Sequence, residues 1–147
     1  MKVSIVIPVY NESQTIFKIL KKINKIKKIK KEIIIINDGS TDNTKKIINE
    51  KCRGLFNKLI SYKKNRGKGF ACRKGLKHVT GKIVIIQDAD LEYDPNDYKK
   101  LIRPILKNSS NIVYGSRVLK GGKRIRPKSV DVVIRLAANH FLTFLSN

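Results

Sequence analysis

Hydrophobic and polar residues follow two different periods along this chain. Short apolar runs bounded by turn residues predict strands, and these lie at residues 3–9, 32–36, 58–63, 82–87 and 112–114. Between the strands, apolar residues recur at helical spacing. Helices are predicted after an N-cap at Ser13, over 42–50, over 70–78 and from 94 to about 106. This alternation of strand and helix indicates an α/β domain with a mainly parallel sheet.

The pattern also predicts how the chain is divided. The apolar runs at 33–36 and 83–86 indicate strands buried on both faces. Residues 1–118 are predicted to form the α/β domain, 119–128 a basic, glycine-rich loop, and 129–147 a C-terminal amphipathic helix. That helix is too short and too polar to span a bilayer, but it could lie in the membrane interface. The alternative is an ordinary amphipathic helix packed on protein.

Charge is the unusual feature of the composition. The chain has 147 residues, 41% of them hydrophobic, which is enough for a core, and its formal net charge is +22. Isoleucine, lysine and asparagine share A/T-rich codons and number 22, 25 and 12, so genome bias explains part of the basicity. The remainder favours an anionic partner, such as a membrane surface, a nucleic acid or a phosphate-rich ligand.

The cysteines and the lengths of the apolar segments indicate the cellular compartment in which the protein is expected. Cys52 and Cys72 form no metal or disulfide pattern, which excludes a disulfide scaffold and a zinc module and suggests a reducing compartment. No secretory signal is visible, and no stretch reaches about 18 consecutive apolar residues. We therefore expect a protein that is cytoplasmic or attached to a membrane from the cytoplasmic side.

The few acidic residues are concentrated at one edge of the predicted sheet. Seven of the 11 lie at or just beyond the ends of the first, second and fourth strands, where ligands bind in open α/β sheets. These seven are Glu12, Asp38, Asp42, Asp88, Asp90, Glu92 and Asp94. Capping of helix starts is an alternative that explains Asp42 and Asp94, but it does not explain Asp88 and Asp90.

Asp88 and Asp90 form the most informative pair. In an extended chain residues i and i+2 point the same way, and Ala89 between them adds no bulk. Two carboxylates with open positions for phosphate oxygens suit Mg²⁺ or Mn²⁺. The alternative is a pair of solvated turn residues. The loop at residues 65–69 is a weaker phosphate-binding candidate, since its glycines also suit a tight turn and Lys68 could be a surface charge.

These segments together resemble family 2 glycosyltransferases, which have the GT-A fold. The matching segments are SIVIPVYNE, EIIIINDGSTDNT, NRGKGFACRKG, IVIIQDADLEYDP and VYGSR. Within that family the chain is most similar to the dolichyl- and polyprenyl-phosphate sugar synthases. The resemblance implies transfer of one sugar from a nucleotide, of the GDP-mannose or UDP-glucose type, to a lipid phosphate at the cytoplasmic membrane face.

The resemblance also implies roles for individual residues. Glu92, where many relatives have glutamine, would join Asp88 and Asp90 at the cation, and Arg117 would face a phosphate. Asp90 or Glu92 would act as base if the acceptor needed one. The implied donor-binding residues are Pro8, Tyr10, Glu12, Ile36, Asp38, Lys68, Asp88, Ala89 and Asp90. Relatives continue beyond residue 147, so the resemblance implies a truncated catalytic domain, a fragmentary gene or a minimal member.

Two other functions remain open at this stage. A family member could glycosylate a soluble or polysaccharide acceptor during cell-envelope synthesis. A basic nucleic-acid-binding module is more distant, because acids at the strand ends and the absence of tryptophan argue against it. We therefore expect no nucleic-acid partner.

Overall fold

The computed structural model describes residues 1–115. Its strands are β1 (Lys2–Val9), β2 (Lys30–Asp38), β3 (Lys58–Tyr62) and β4 (Ile83–Ile86). Its α-helices are α1 (Ile16–Lys25), α2 (Thr44–Lys51), α3 (Lys68–Leu76) and α4 (Tyr98–Leu106), and a 3₁₀ turn (Pro95–Asp97) precedes α4. Every strand and helix predicted before residue 107 is present, with ends shifted by a few residues, and the α/β class is confirmed.

All four strands are parallel and lie in the order β3-β2-β1-β4. β1 pairs with β2 along its whole length, from Lys2 opposite Lys30 to Val9 opposite Asn37. The chain moves outward from β1 to β3, and α3 then returns it to the other side of β1, where β4 pairs with residues 3–6. The carboxyl ends of β1 and β4 therefore meet where the strand order reverses, which is the usual ligand position in such sheets.

Helices cover both faces of the central strands. On one face the alternate residues Ile5, Ile7 and Ile35 belong to the larger core, together with buried residues of α1, α2 and α4. On the other face Val6 and Ile36 pack in a smaller core with Ala71 of α3. Because strand side chains alternate between faces, a strand covered on both sides must be apolar throughout. The isoleucine run of β2 meets this requirement, as predicted.

The prediction that β4 is buried on both faces is wrong. Ile83 is 5% exposed, but Val84 and Ile86 are 36% and 44% exposed. The register with β1 places these two side chains on the face that α3 covers, and α3 packs over β1 and β2. Since β4 lies at the end of the strand order, it falls outside the area that α3 covers.

The predicted strand at 112–114 is also wrong. These residues adopt no regular secondary structure, and Ile112 and Tyr114 are 68% and 87% exposed. A strand forms only where a neighbouring strand accepts and donates its backbone hydrogen bonds. Within the part of the chain that the structure describes, no strand pairs with these residues.

The N-cap of helix α1 lies two residues after the predicted N-cap at Ser13. Its N-cap is Thr15, and the amides of Thr15 and Ile16 donate to the carbonyl of Glu12 at 3.2 and 3.0 Å. The amide of Ser13 instead donates to the Asp42 carboxylate at 3.2 Å. Contact with the neighbouring loop therefore removes Ser13 from the helix start.

A buried carboxylate joins three segments at the amino-terminal end of the sheet. Glu32 of β2 is 7% exposed and accepts hydrogen bonds from the Ser4 hydroxyl and from the amides of Thr80 and Gly81, and it forms an ion pair with Lys2 at 2.8 Å. Burial raises the pKa of Glu32, but the hydrogen bonds from Lys2, Ser4 and Thr80 outweigh it and lower the pKa to about 2. This cluster holds the entry to β4 against β1 and β2.

None of the helices within residues 1–115 is long and apolar enough to cross a membrane. The predicted loop at 119–128, the predicted helix at 129–147 and Arg117 lie outside the described residues, as does the end of the predicted domain at residue 118.

Candidate functional site

A cavity of about 270 Å³ lies at the carboxyl ends of β1 and β4. It contains most of the predicted site residues, together with Val9, Asn65 and Ala71, which were not predicted. The full lining is Pro8, Val9, Tyr10, Glu12, Asp38, Asn65, Lys68, Ala71, Asp88, Ala89 and Asp90. Residues far apart in the sequence thus converge at the point where the strand order reverses.

Asp38, the last residue of β2, has an unusual hydrogen-bonding state. It is 2% exposed, and its Oδ2 accepts hydrogen bonds from the backbone amides of Arg66 at 2.9 Å and Gly67 at 2.8 Å. In residues 1–115, its Oδ1 is the one buried side-chain polar atom without a hydrogen-bond partner. Leaving such an atom unsatisfied costs about 1–3 kcal/mol. Because Asp38 lines the cavity, this acceptor is available to a donor group of a bound ligand.

The turn after β2 allows Asp38 to meet the loop that precedes α3. Gly39 has a φ of 72°, and a β-carbon at this position would lie 2.6 Å from the Asn65 amide nitrogen and from the Lys64 carbonyl carbon. Only glycine tolerates both this backbone conformation and this approach. The NDGS segment is therefore shaped to bring the two loops into contact.

Asn11 fixes the loop after β1 against the loop after β2. With a φ of 55°, Asn11 accepts a hydrogen bond on Oδ1 from the Thr41 amide at 2.9 Å. The neighbouring Glu12 amide donates to the Thr44 hydroxyl at 2.8 Å, and Asp42 accepts from the Thr44 amide at 2.9 Å. Asp42 thus acts at a helix start, as the alternative interpretation predicted, and both loops are held by hydrogen bonds in the free protein.

Asp88 forms an ion pair with Lys68, the first residue of α3. The Lys68 Nζ lies 2.6 Å from Oδ1 and 2.7 Å from Oδ2 of Asp88. Burial lowers the pKa of Lys68, but its hydrogen bond with Asp88 and the charge of that carboxylate outweigh it and raise the pKa above 10.5. One ammonium group therefore contacts both oxygens of the first predicted metal ligand.

The structure does not gather the three predicted metal ligands. Asp88 and Asp90 line the cavity, but Leu91 has a φ of 69° and the Glu92 amide donates to Asp90 Oδ1 at 3.0 Å. No group of three or more His, Cys, Asp or Glu side chains in residues 1–115 is placed to hold a metal ion. The left-handed turn at Leu91 ends the extended pattern before Glu92.

The two remaining carboxylates still fit a hard divalent cation. Mg²⁺ is commonly bound through one or two carboxylates, with waters and substrate phosphates as its other ligands. Asp88 and Asp90 offer such a donor set at a cavity that also contains a lysine. The site therefore suits a cation that arrives with a phosphate ligand.

A buried hydrogen-bonded pair braces the segment that carries these carboxylates. Gln87 is 2% exposed; its amide group donates to the carbonyls of Asp88 at 2.9 Å and Tyr93 at 3.3 Å, and its Oε1 accepts from the Tyr98 hydroxyl at 2.7 Å. Burial raises the pKa of Tyr98. Neither residue was predicted, although a glutamine between an apolar strand and an acidic triplet could have been a signal.

Ile36, one of the predicted donor-binding residues, does not line the cavity. It is fully buried in the smaller core beside Val6 and Ala71. Neighbouring strand residues point to opposite faces, so the side chains of Ile36 and Asp38 share a face, but Ile36 lies deeper in the sheet. Asn65 was overlooked in the predicted loop, where its Oδ1 accepts from the Gly67 amide at 2.9 Å.

A second cavity, of about 310 Å³, lies at the opposite end of the sheet, beside the start of β2. Its Asn24 amide group already donates to the carbonyls of Leu20 and Leu55, both at 2.9 Å. The described residues that line this cavity include no carboxylate.

Comparison with known proteins assigns the family. The model of glycosyl transferase family 2 matches residues 4–144. The chain belongs to glycosyl transferase family 2. Among the relatives of this family 2 chain, the dolichol-phosphate mannosyltransferase of Pyrococcus furiosus is 37% identical over 124 residues, which cover 84% of the chain and 35% of that protein.

Other relatives of the chain are named for different sugars and acceptors. The dolichyl-phosphate β-glucosyltransferase of Saccharomyces cerevisiae is 34% identical, over 90% of the chain and 43% of that protein. The poly-β-1,6-N-acetyl-D-glucosamine synthase of Staphylococcus epidermidis is 35% identical, over 86% of the chain and 30% of that protein. The chain thus spans less than half the length of each of these relatives.

Solved structures confirm the GT-A fold of this family 2 chain. The mannosyltransferase PcManGT of Pyrobaculum calidifontis, in complex with GDP-Man and Mn²⁺, is 31% identical with a TM-score of 0.55, covering 60% of the chain and 27% of that protein. Glucosyl-3-phosphoglycerate synthase of Mycobacterium tuberculosis, in complex with Mn²⁺, UDP and glucosyl-3-phosphoglycerate, is 26% identical with a TM-score of 0.59. This match covers 71% of the chain and 39% of that protein.

Proposed function

We propose that this family 2 chain binds a nucleotide-sugar donor of the GDP-mannose or UDP-glucose type and passes its sugar to polyprenyl or dolichyl phosphate at the cytoplasmic membrane face. The observation that carries this proposal is the unsatisfied Asp38 Oδ1 in the same cavity as the Asp88 and Asp90 carboxylates. The buried acceptor suits an N–H of a nucleobase. The carboxylate pair suits a cation on a diphosphate.

The other lining residues supply the remaining donor contacts. Pro8, Tyr10 and Glu12 follow one another at the end of β1 and would hold the nucleoside. Ala89, 3% exposed, would let the diphosphate approach the chain. Lys68 would contact a phosphate oxygen once that oxygen replaces Asp88 as its partner.

Asp88 and Asp90 would hold Mg²⁺ or Mn²⁺. When bound, the ion supplies positive charge beside the diphosphate leaving group. The two solved relatives that contain Mn²⁺ support this cofactor. Arg117 would add a bidentate phosphate contact, which suits its planar guanidinium group.

The proposed reaction is an in-line displacement. An oxygen of the lipid phosphate forms a bond to the anomeric carbon while the bond from that carbon to the nucleoside diphosphate breaks, with inversion and an oxocarbenium-like transition state. A phosphate monoester is largely ionised at neutral pH, because its second pKa is about 6. This acceptor therefore needs no general base. The dolichol-phosphate relatives support this choice of acceptor.

A soluble or polysaccharide hydroxyl acceptor is the second candidate. The Staphylococcus epidermidis polysaccharide synthase matches the chain over a comparable length and supports it. A hydroxyl must lose a proton during attack, so this reaction needs a general base. Asp90 is the better-placed base, because it lines the cavity, whereas Glu92 does not.

Calorimetric titration of the full chain tests donor binding. UDP and GDP are titrated with and without Mn²⁺, and we expect one of them to bind tightly only when the ion is present. Asp90→Asn should weaken that binding at least about tenfold, since it removes one of two carboxylate ligands. Asp97→Asn is the matched control, because Asp97 is exposed and pairs with Lys100. Equal binding with EDTA, or by the Asp90 variant, would overturn the donor site.

The acceptor is tested separately by transfer assays. Labelled GDP-mannose and UDP-glucose are incubated with the full chain and either dolichyl phosphate or oligosaccharide acceptors. We expect label in the lipid fraction, and Glu92→Gln, which removes the candidate base outside the cavity, should not reduce it. Label found in the oligosaccharide alone would favour the second candidate.

A further inference from the structure

The ion pair between Lys68 and Asp88 links the binding of a metal ion to the binding of a nucleotide. We propose that Lys68 is a positioning residue that occupies Asp88 as an internal cation, so that a divalent ion binds well only together with a diphosphate. This inference rests on the proposed donor site. It assigns to one side chain a coupling between the metal and the nucleotide.

The charges in the cavity give the first argument. Its lining contains four carboxylates, of Glu12, Asp38, Asp88 and Asp90, and Lys68 is the one cationic side chain among the described lining residues. Carboxylates around one cavity repel one another unless a cation offsets their charge. Lys68 supplies that cation in the free protein.

The geometry gives the second argument. Because the Lys68 Nζ lies within 2.7 Å of both Asp88 oxygens, a metal ion that uses this carboxylate must compete with the ammonium group for it. The side chain of Lys68 is 61% exposed, so it can rotate away without losing a buried position. The displaced ammonium loses its partner unless another anion replaces it.

A diphosphate provides that replacement. Its oxygens accept the displaced Lys68 and also complete the coordination of an ion held by Asp88 and Asp90. The diphosphate pairs with the ammonium group that the ion releases, and the ion neutralises the diphosphate. Each ligand therefore raises the affinity for the other, and this positive coupling is reciprocal. Mn²⁺ alone is expected to bind weakly, and Mn²⁺ with a nucleoside diphosphate strongly.

Replacing Lys68 with methionine tests its effect on Mn²⁺ binding both without and with a nucleotide. Lys68→Met removes the ammonium group that competes with Mn²⁺ for Asp88 and the positive charge that repels the ion. Coupling of this kind is typically about 5–150-fold, and we expect Lys68→Met to bind Mn²⁺ alone about tenfold more tightly than wild type, towards the lower limit because the pair is partly exposed. The factor by which UDP or GDP raises Mn²⁺ affinity should fall by about the same amount. Free Mn²⁺ is measured by electron paramagnetic resonance and needs no turnover.

Two control variants make the result specific. Lys100→Met removes an equal charge from an exposed ion pair with Asp97 and should leave Mn²⁺ affinity unchanged. Lys68→Arg keeps the cation and should keep Mn²⁺ binding weak. Circular dichroism of each variant shows whether it is folded.

The outcomes distinguish this inference from the proposed function. Unchanged Mn²⁺ affinity in folded Lys68→Met would overturn the inference, as would tightening in Lys100→Met to the same extent. If Lys68→Met tightens Mn²⁺ binding but neither UDP nor GDP binds to any variant, the internal cation is confirmed and the donor site fails. If UDP or GDP raises Mn²⁺ affinity by the same factor in wild type and in folded Lys68→Met, the role of Lys68 in the coupling fails while the donor site stands.

Discussion

Gly81 passes so close to Ser4 that no side chain fits at position 81. A β-carbon there would lie 2.7 Å from both the amide nitrogen and the Oγ of Ser4, and 2.8 Å from the Lys2 carbonyl oxygen. The Gly81 amide donates to the Ser4 Oγ at 2.7 Å, and the next amide, of Lys82, donates to Lys2 at 3.1 Å. The start of β4 is thereby fixed against β1, and the end of β4 carries the Asp88 segment.

Replacing Gly81 with alanine should therefore destabilise the protein. Backbone atoms must shift to admit the methyl group, and overpacking of this kind costs about 1–3 kcal/mol. Urea denaturation followed by circular dichroism measures the loss. Gly69→Ala is the matched control: its nearest atom would be the tip of Arg73 at 3.6 Å, and alanine in helix α3 should stabilise by about 0.5–1 kcal/mol. Equal midpoints for the two variants would contradict the prediction.

The Glu32 cluster should make stability depend on pH under acidic conditions. The pKa of Glu32 in the folded protein is about 2, below its ordinary value of 4.5, so the unfolded chain binds the proton first. Its stabilisation, up to roughly 3 kcal/mol, is present above about pH 5 and is lost as the pH falls from 4.5 towards 2.

Substitution of Glu32 with glutamine should flatten that dependence. Thermal melts between pH 7 and pH 2 are compared for wild type, Glu32→Gln and Glu50→Gln, in which an exposed carboxylate is removed. We expect Glu32→Gln to be the less stable variant at pH 7 and to lose little more on acidification. A parallel decline of all three proteins would show that other groups govern the acid response.

Loss of the Tyr98 hydroxyl should weaken the brace behind Asp88. Tyr98→Phe leaves the buried Gln87 Oε1 without its 2.7 Å hydrogen bond, which typically costs about 1–3 kcal/mol. Tyr114→Phe is the control, because Tyr114 is 87% exposed and its change should be close to zero. Differential scanning calorimetry measures the melting temperature of both variants. An unshifted melting temperature for Tyr98→Phe would show that the hydrogen bond between Tyr98 and Gln87 does not stabilise this segment.

Asp38→Asn should lower the affinity for the nucleotide without lowering the stability of the protein. Asparagine can keep its oxygen on the Arg66 and Gly67 amides and place its NH₂ group where Oδ1 now lies. Removing a buried charge with one unsatisfied oxygen should leave stability within about 1 kcal/mol of wild type. A ligand N–H would then meet a donor, so Mn²⁺-dependent binding of UDP or GDP should fall at least about tenfold. Unchanged affinity would exclude Asp38 from the donor site.

Membrane binding is predicted from the basic residues at 120–128 and the predicted helix at 129–147. Each basic residue near an anionic surface contributes about 1 kcal/mol, so the full chain should sediment with vesicles containing phosphatidylserine, less so as salt is added. Deleting 129–147 should abolish most of this binding. Full-length protein that stays in the supernatant at low salt would favour a soluble acceptor.

The sequence by itself determined the elements and the candidate chemistry of this protein. Helical and strand periods are local properties, so the alternation of β1 to α4 could be predicted from side-chain spacing. The placement of Asp38, Asp88 and Asp90 after apolar strands was visible for the same reason. That they line one cavity follows from parallel strands ending at one edge.

Only the tertiary structure decided what each side chain meets. Val84 and Ile86 are exposed because β4 lies at the edge of the described sheet, and strand order involves pairings distant in sequence. The amides that donate to Asp38 Oδ2 lie 28 and 29 residues away, and the internal cation of Asp88 comes from Lys68, 20 residues away. Such contacts form when loops that follow different strands meet. The spacing of hydrophobic and polar residues along the chain does not show which loops these are.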